Sequence, residues 1–377
     1  MMLRLEPRSE PSRLATWLSP LAALLATLVI GATVFAWLGF DPWQALFVFF
    51  IGPVNSWYGV SELLLKASPL ILIANGLAPG FRANVWNIGA EGQLILGALG
   101  ATGIALAFDG VEAGWLLPLM LVSGTVCGIA WAAIPAFLRT RFRANEILVS
   151  LMLVYVAGYL LSYLIHGPWR DPEGYNFPQS ILFPASALLP TVSDEGRLNI
   201  SIFFALGVTL LCWFFTKKSW LGFQMRVTGL APEAALYAGI PVNRTVWLGL
   251  LLGGACAGLA GACEIAGPLG QLTASVSPGY GFAAIIVAFV GRLHPIGIVF
   301  AGLLLSLLYL GGEAAQVHLG LPSAITGLFQ GALLFVLLGA DVFIRYRLRF
   351  VFSRLAAVES VPPLLEPDKS ALPASHH

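Results

Sequence analysis

The chain has 377 residues, of which 58% are hydrophobic and only 10% charged, and its mean hydropathy is +0.84. Water-soluble domains carry about 25% charged residues, so a soluble fold is excluded and the chain reads as an all-α polytopic membrane protein. A net charge of +1 gives no reason to expect a nucleic-acid partner, and the four cysteines (Cys127, Cys212, Cys256, Cys263) lie in apolar runs without metal-ligand spacing, as small core residues.

Arg4, Arg8 and Arg13 precede a run without charge that lasts until Asp41. The run is too long for a signal-peptide core and lacks a small-residue cleavage site, so it predicts an uncleaved first transmembrane helix. A helix crosses the bilayer with about 20 apolar residues. Candidate spans are 18–40, 60–80, 88–107, 115–138, 147–166, 199–216, 246–266, 280–291, 296–312 and 324–341. The eighth reaches only about 18 Å at 1.5 Å per residue, short of a hydrocarbon core of about 30 Å.

Charge decides whether the eighth span crosses. Ten crossings with the N-terminus inside give the cytoplasm Arg82, Arg139, Arg141, Arg143, Lys217, Lys218, Arg226, Arg244, Arg292, Arg345, Arg347 and Arg349, and leave only Arg170 and Arg197 outside. Without the eighth crossing the Arg345, Arg347 and Arg349 cluster would face outward, against the positive-inside rule. Ten spans with both termini cytoplasmic follow, the eighth being a short or broken helix that lines protein or a cavity. Ten divides into five and five of opposite starting side, the arithmetic of an inverted repeat, although the two halves share no clear sequence similarity.

The expected organisation is a cytoplasmic N-terminal segment 1–17, a transmembrane domain 18–345 and a cytoplasmic tail 346–377. Within the domain, 167–198 is an extracytoplasmic loop rich in Pro, Gly and polar residues, and 217–245 is a cytoplasmic loop. From about Val361 the tail carries four prolines and reads as disordered. His376 and His377 read as tail or tag remnant.

The chain lacks an engine. No Gly-Lys pair followed by Ser or Thr is present, so no P-loop for ATP exists. An ion-coupled carrier would hold acids or histidines inside its bundle. Here every Asp falls at a span end, loop or tail, and only Glu91 and Glu264 could lie at depth. No nucleophile–base pair or metal constellation is visible, which speaks against a membrane enzyme.

Two constellations carry chemistry. In the cytoplasmic loop, Pro232-Glu233-Ala234-Ala235-Leu236-Tyr237-Ala238-Gly239 spells a helix of under two turns, with Pro at the start, Gly just past the end and Glu233 where the dipole favours an anion. It serves either as an ordinary interfacial connector or as a docking element whose small alanines admit a partner. After the second span, Phe81-Arg82-Ala83-Asn84-Val85-Trp86-Asn87-Ile88-Gly89-Ala90-Glu91-Gly92-Gln93 offers Asn87 as cap of the third span and Glu91 in its first turn. Gly89 and Gly92 permit close helix packing. This block is either a capped, tightly packed helix start or polar lining of a path through the membrane.

The first segment resembles the coupling loop of ABC importer permeases, with Glu233-Ala234-Ala235 and Gly239 matching an EAA–Gly core and Arg226-Val227-Thr228-Gly229 upstream. The context resembles the ribose/nucleoside class of binding-protein-dependent permeases, and Asn87-Ile88-Gly89-Ala90-Glu91-Gly92-Gln93 is similar to its nucleoside branch. Arg143 to Leu153 and Gly279 to Gly297 match further blocks in the same order, so the likeness covers roughly 60–340.

The resemblance implies a permease subunit in the bacterial cytoplasmic membrane, for nucleosides or alternatively simple sugars. Its partners would be a cytoplasmic ABC ATPase carrying ATP and Mg, a second permease and an extracytoplasmic substrate-binding lipoprotein. This chain would hold no cofactor or metal of its own. By the same resemblance Gly229, Pro232, Glu233, Ala234, Ala235, Tyr237 and Gly239 couple to the ATPase, while Asn84, Asn87, Glu91, Gln93, Glu264 and Gln271 are candidates for the substrate path. Two smaller expectations come from spacing. Glu62 and Lys66, i,i+4, read as a mutual pair, and Gly249/Gly253 with Gly254/Gly258 mark a helix–helix interface within the chain or with a second permease.

Overall fold

Capping residues set where the apolar runs become helices. The computed structural model describes residues 2–7, 13–193, 195–325 and 346–351, and within a further helical stretch 327–329, 331–332, 335–336 and 339. Helix α1 spans Arg13–Trp37, and Asp41 then accepts the Trp43 N–H to start the short α2 (Pro42–Leu46), which runs on through a π-turn to Ile51 and a 3-10 turn to Val54. Ser56 caps α3 (Trp57–Arg82) through the Gly59 N–H. The chain continues as α4 (Ala90–Ala107), α5 (Leu116–Phe142) and α6 (Glu146–His166), whose cap is Asn145. After an irregular outer segment come α7 (Ser201–Lys218), α8 (Trp220–Leu230), α9 (Pro232–Tyr237), α10 (Val242–Glu264) with a π-turn over Ile265–Leu269, α11 (Tyr280–Val290) and α12 (Pro295–Leu319).

Every expected span from the second to the ninth appears within a few residues, and seven described helices are long and apolar enough to cross a bilayer. The eighth is the short one: α11 has 11 residues and follows irregular chain over 270–279. The third and eighth spans, which a five-plus-five arrangement pairs, meet at their N-termini, where the Glu91 carboxylate accepts the Gly281 N–H at 2.7 Å. The tenth span is described in part, and the tail beyond 351, with His376 and His377, lies outside the described residues.

The helical fold class holds, with one addition. Strand β1 (Met2–Pro7) pairs antiparallel with β2 (Tyr346–Val351), from Met2 opposite Val351 to Pro7 opposite Tyr346. The ribbon brings the two segments 2–7 and 346–351 together. A second unforeseen element is 42–54, whose Phe49 stacks on Phe329 against the α12 backbone. Trp37, Trp43, Trp57 and Tyr58 are exposed around that end, as in the aromatic belts at membrane surfaces.

The helices form an inner and an outer set. Within their central windows α3, α4 and α10 bury 78%, 67% and 61% of residues, against 22% to 28% for α5, α6 and α7. The inner contacts are made by backbone. Gly97 of α4, Gly124 and Gly128 of α5, and Gly254 and Gly258 of α10 meet so closely that a Cβ on Gly258 would collide with the Gly124 carbonyl and come within 2.9 Å of the Gly128 Cα. Gly249 likewise touches Gly80 of α3, and Gly253 meets Asn87 and Leu77. Both expected glycine pairs on α10 therefore serve an interface within the chain. Gly258→Ala is expected to lower stability by about 1–3 kcal/mol through overpacking, seen as a lower melting temperature in detergent. Gly207→Ala, where a Cβ meets nothing within 4 Å, should leave the melting temperature unchanged or raise it.

Candidate coupling segment and translocation path

Basic residues gather at one end of the bundle. There Arg82 donates to the Leu293 carbonyl, Arg139 pairs with Glu146, and Trp247 donates to Thr140. The last turn of α7 carries Lys217 and Lys218, and Ser219 then caps α8 through the Gly222 N–H. Gly229 lies against the Arg82 backbone with no room for a Cβ, which fixes the end of α8 to the end of α3. Burial, then the charges of Lys217 and Arg82, push His294 in the α11–α12 turn below its ordinary pKa. It therefore adds nothing to the positive charge of this end near neutral pH.

From that platform α9 projects. Pro232 opens it, and Gly239 closes it at φ +75°, with Gly239 N–H donating to the Leu236 carbonyl and Ile240 N–H to that of Ala235. Only Ala235 and Ile240 face inward, so Glu233 and Ala234 stand exposed. Tyr237 is 95% exposed and Leu236 62%, with Leu230 of α8 at 80%. Among the described residues these apolar side chains stay largely uncovered, on an end bordered by lysines and arginines.

The six candidate path residues do not come together. Asn84 sits at the basic end with φ +55°, its Oδ1 accepting from the Trp86 indole. Asn87 and Gln93 are buried and bond each other in both directions, at 2.9 and 3.1 Å. Asn87 does not cap α4, because Gly89 holds the cap position and Asn87 instead accepts the Gly89 N–H two residues on. Gly89 and Gly92 pack on Ser150 and Val154 of α6 as expected. Glu91 joins two helix N-termini, where both dipoles favour a carboxylate. Gln271 donates to Gln179 of the outer loop at 3.3 Å. Glu264, one of the two acids that could lie at depth, lines a small cavity with Ser68 and Ser201.

Sequence reasoning missed a polar line through the bundle. Ser68, Asn75 and Arg82 recur every seven residues on α3, and Asn75 donates to Thr209 at 2.9 Å while Cys212 donates to the Asn75 carbonyl. The seven-residue spacing was the available signal.

At the opposite end the expected Glu62–Lys66 couple is replaced by two longer-range pairs. Arg197 forks onto Glu62 at 2.9 and 2.7 Å, and Lys66 reaches Glu313 of α12 at 2.9 Å. The Glu62 carboxylate raises the Arg197 pKa further above its ordinary value, against the effect of burial. Tertiary partners with better geometry outcompete a helical neighbour whose pairing is worth only about 0.2–0.5 kcal/mol. Both pairs border a cleft of about 640 Å³ between 42–54, the start of α3 and the end of α12.

A bundle with seven described helices long and apolar enough to cross a bilayer is the architecture of a polytopic membrane protein. Residues 59–338 match the family described as branched-chain amino acid transport system / permease component, and the chain belongs to that family as a permease of an ABC transport system. A glucose ABC transporter permease protein of Haloferax volcanii is 37% identical over 93% of this chain and 95% of its own length. A guanosine ABC transporter permease protein of Bacillus subtilis is 31% identical over 91% and 97%, and a nucleoside ABC transporter permease protein of Lactococcus lactis 31% over 84% and 89%. Permeases of this kind are transport components that work with an ATPase and a substrate-binding protein.

The ion pairs give a graded prediction. Glu62 keeps only 5% of its side chain exposed, so Arg197→Ala leaves a buried carboxylate and should cost about 2 kcal/mol, discounted for the solvent around Arg197. Glu313 is 54% exposed, and Glu313→Ala should cost about 1 kcal/mol or less. Melting temperatures of the two variants in detergent test the order.

Proposed function

We propose that this permease imports nucleosides, with 217–245 docking on a cytoplasmic ATPase that carries ATP and Mg. The exposure of α9 carries the docking half of the reading. A six-residue helix with Leu236 and Tyr237 turned outward offers an exposed apolar patch of the kind that marks a protein–protein contact. In this arrangement both termini are cytoplasmic, a second permease completes the membrane unit, and segments 167–198 and 267–279 receive an extracytoplasmic lipoprotein that delivers the cargo. Glu233, Pro232, Ala234, Ala235, Tyr237, Gly229 and Gly239 form the coupling element. Asn84, Asn87, Glu91, Gln93, Glu264 and Gln271 serve the path or the packing around it.

The cargo assignment rests on the Asn87–Gln93 block and on the guanosine and nucleoside relatives that align over nearly their whole length. The glucose relative at 37% identity favours simple sugars as a second reading. Uptake of labelled guanosine, uridine and glucose into vesicles holding the complete transporter separates them. Saturable nucleoside uptake is expected, and glucose uptake alone would select the second reading.

Coupling has its own test. Tyr237→Ala should fold normally, because the ring touches little in this chain, yet lower substrate-stimulated ATPase activity and uptake by about tenfold or more if the ring anchors the interface. Gly239→Val, strained at φ +75° by about 1 kcal/mol or more, should do the same. Wild-type coupling in both variants would remove α9 from the interface.

A further inference from the structure

We propose that Lys217 and Lys218, with Trp220, Phe223 and Val227 on the outward face of α8, bind an anionic phospholipid in the leaflet at the basic end of the bundle. The root of the coupling segment is thereby held on the membrane, while α9 beyond it stays free for the ATPase. Such a contact requires only a bundle that spans a bilayer, whichever cargo it carries and whatever α9 meets.

The two lysines end a face of α7 that meets lipid. Phe203, Leu206, Leu210, Leu211 and Phe214 are exposed, at a spacing that keeps all five on one side of the helix. Lys217 and Lys218 follow three and four residues after Phe214, on that same side, and both are exposed. At 1.5 Å per residue the 18 residues of α7 measure about 27 Å, close to a hydrocarbon core of about 30 Å. The two ammonium groups therefore emerge where lipid phosphates lie. Among the described residues neither lysine has an ion pair, nor has Arg226 on α8. Lys217 and Arg82 both act on His294, so this corner concentrates positive charge.

The helix that follows stays at the same level. Ser219 is extended and turns the chain, and Gly222 then packs on the last turn of α7. A Cβ at Gly222 would come within 2.2 Å of the Phe215 carbonyl oxygen, so α8 begins folded back on α7 instead of projecting from it. Met225, buried in a cluster with Ala83, Val246 and Leu250, fixes which face of α8 points inward. The opposite face carries Trp220, Phe223 and Val227 at i, i+3 and i+7. Trp220 is 67% exposed and Phe223 50%, and their rings stack at 5.2 Å.

Place and charge together select the ligand. An indole at the boundary between acyl chains and headgroups keeps its apolar ring out of water and its N–H wet, which is why tryptophan collects there. Basic residues directly beside a span attract anionic lipid, each worth severalfold in affinity. An apolar face continuous with a lipid-facing helix, and flanked by Lys217, Lys218 and Arg226, meets both conditions in one molecule: acyl chain against the rings, phosphate against the ammonium groups.

The test titrates the complete transporter in detergent with phosphatidylglycerol brominated on its acyl chains, which quenches indole fluorescence on contact. The chain has 11 tryptophans, so the signal of Trp220 is the difference between wild type and Trp220→Phe. That share should be quenched by brominated phosphatidylglycerol at a concentration about tenfold or more below that of brominated phosphatidylcholine. Combining Lys217→Gln with Lys218→Gln should raise the half-quenching concentration of phosphatidylglycerol about tenfold or more, with the melting temperature unchanged, and added salt should do the same to wild type. A Trp220 share that is not quenched, equal quenching by the two lipids, or an undiminished response in the folded double variant would overturn the site. Loss of ATPase binding in a double variant whose lipid response is intact would give the lysines to the ATPase instead. Lipid contact is read without transport, so a failure of nucleoside uptake or of the Tyr237→Ala test leaves this result standing.

Discussion

Contact of backbone on backbone among α3, α4, α5 and α10 is the constraint on which the rest of the molecule depends. In lipid there is no hydrophobic gain from bringing two apolar helices together, so association rests on close van der Waals contact and polar bonds. Glycines at 80, 97, 124, 128, 249, 254 and 258 remove the side chains that would hold these helices apart. The four packed helices leave the stretches 83–89 and 270–279 non-helical, with Val85, Asn87, Leu272 and Val276 buried. Those stretches in turn deliver the N-termini of α4 and α11 to the Glu91 carboxylate.

Much of this architecture was legible because membrane insertion leaves a strong imprint on sequence. Hydropathy predicts the seven described helices that are long enough to cross a bilayer and the shortness of α11. The alternative that α10 met a second permease through Gly254 and Gly258 could not be decided from spacing, since a small-residue pair looks the same whichever helix it meets. What stayed hidden depends on tertiary geometry. The Glu62–Lys66 spacing suggested a local pair, whereas loop Arg197 and α12 Glu313, distant in sequence, claim the two charges. The β1–β2 ribbon joins segments more than 330 residues apart, and although Leu3-Arg4-Leu5-Glu6 and Tyr346-Arg347-Leu348-Arg349-Phe350 alternate apolar and charged residues, their pairing is a tertiary fact. Segment 42–54 was invisible as an element because its π and 3-10 turns break the helical period.

The candidate sites divide in the same way. Pro232 and Gly239 bound α9 as their local chemistry requires, because proline at the first turn and glycine past the last are backbone effects readable one residue at a time. Which side of α9 faces out was not readable: Ala235, one of the alanines expected to admit a partner, packs inward, and Leu236 and Tyr237 supply the outward face. Likewise Asn87, Glu91 and Gln93 satisfy one another or a helix end, so polarity within a span marked packing as much as a path.

The two kinds of helix contact give the bundle a direction of compliance. Separating α10 from α5 would empty a run of backbone contacts and leave voids that neither lipid nor water can fill well. Separating α7 from α3 would break two hydrogen bonds, each worth about 0.5–1.5 kcal/mol net, and uncover side chains such as Ile202, which packs on Leu65. α7 lies in the outer set, and its last turn, Lys217 and Lys218, is continuous with the segment that carries Tyr237. α7 therefore joins α3 through side-chain packing and two hydrogen bonds, whereas α10 joins α5 backbone to backbone.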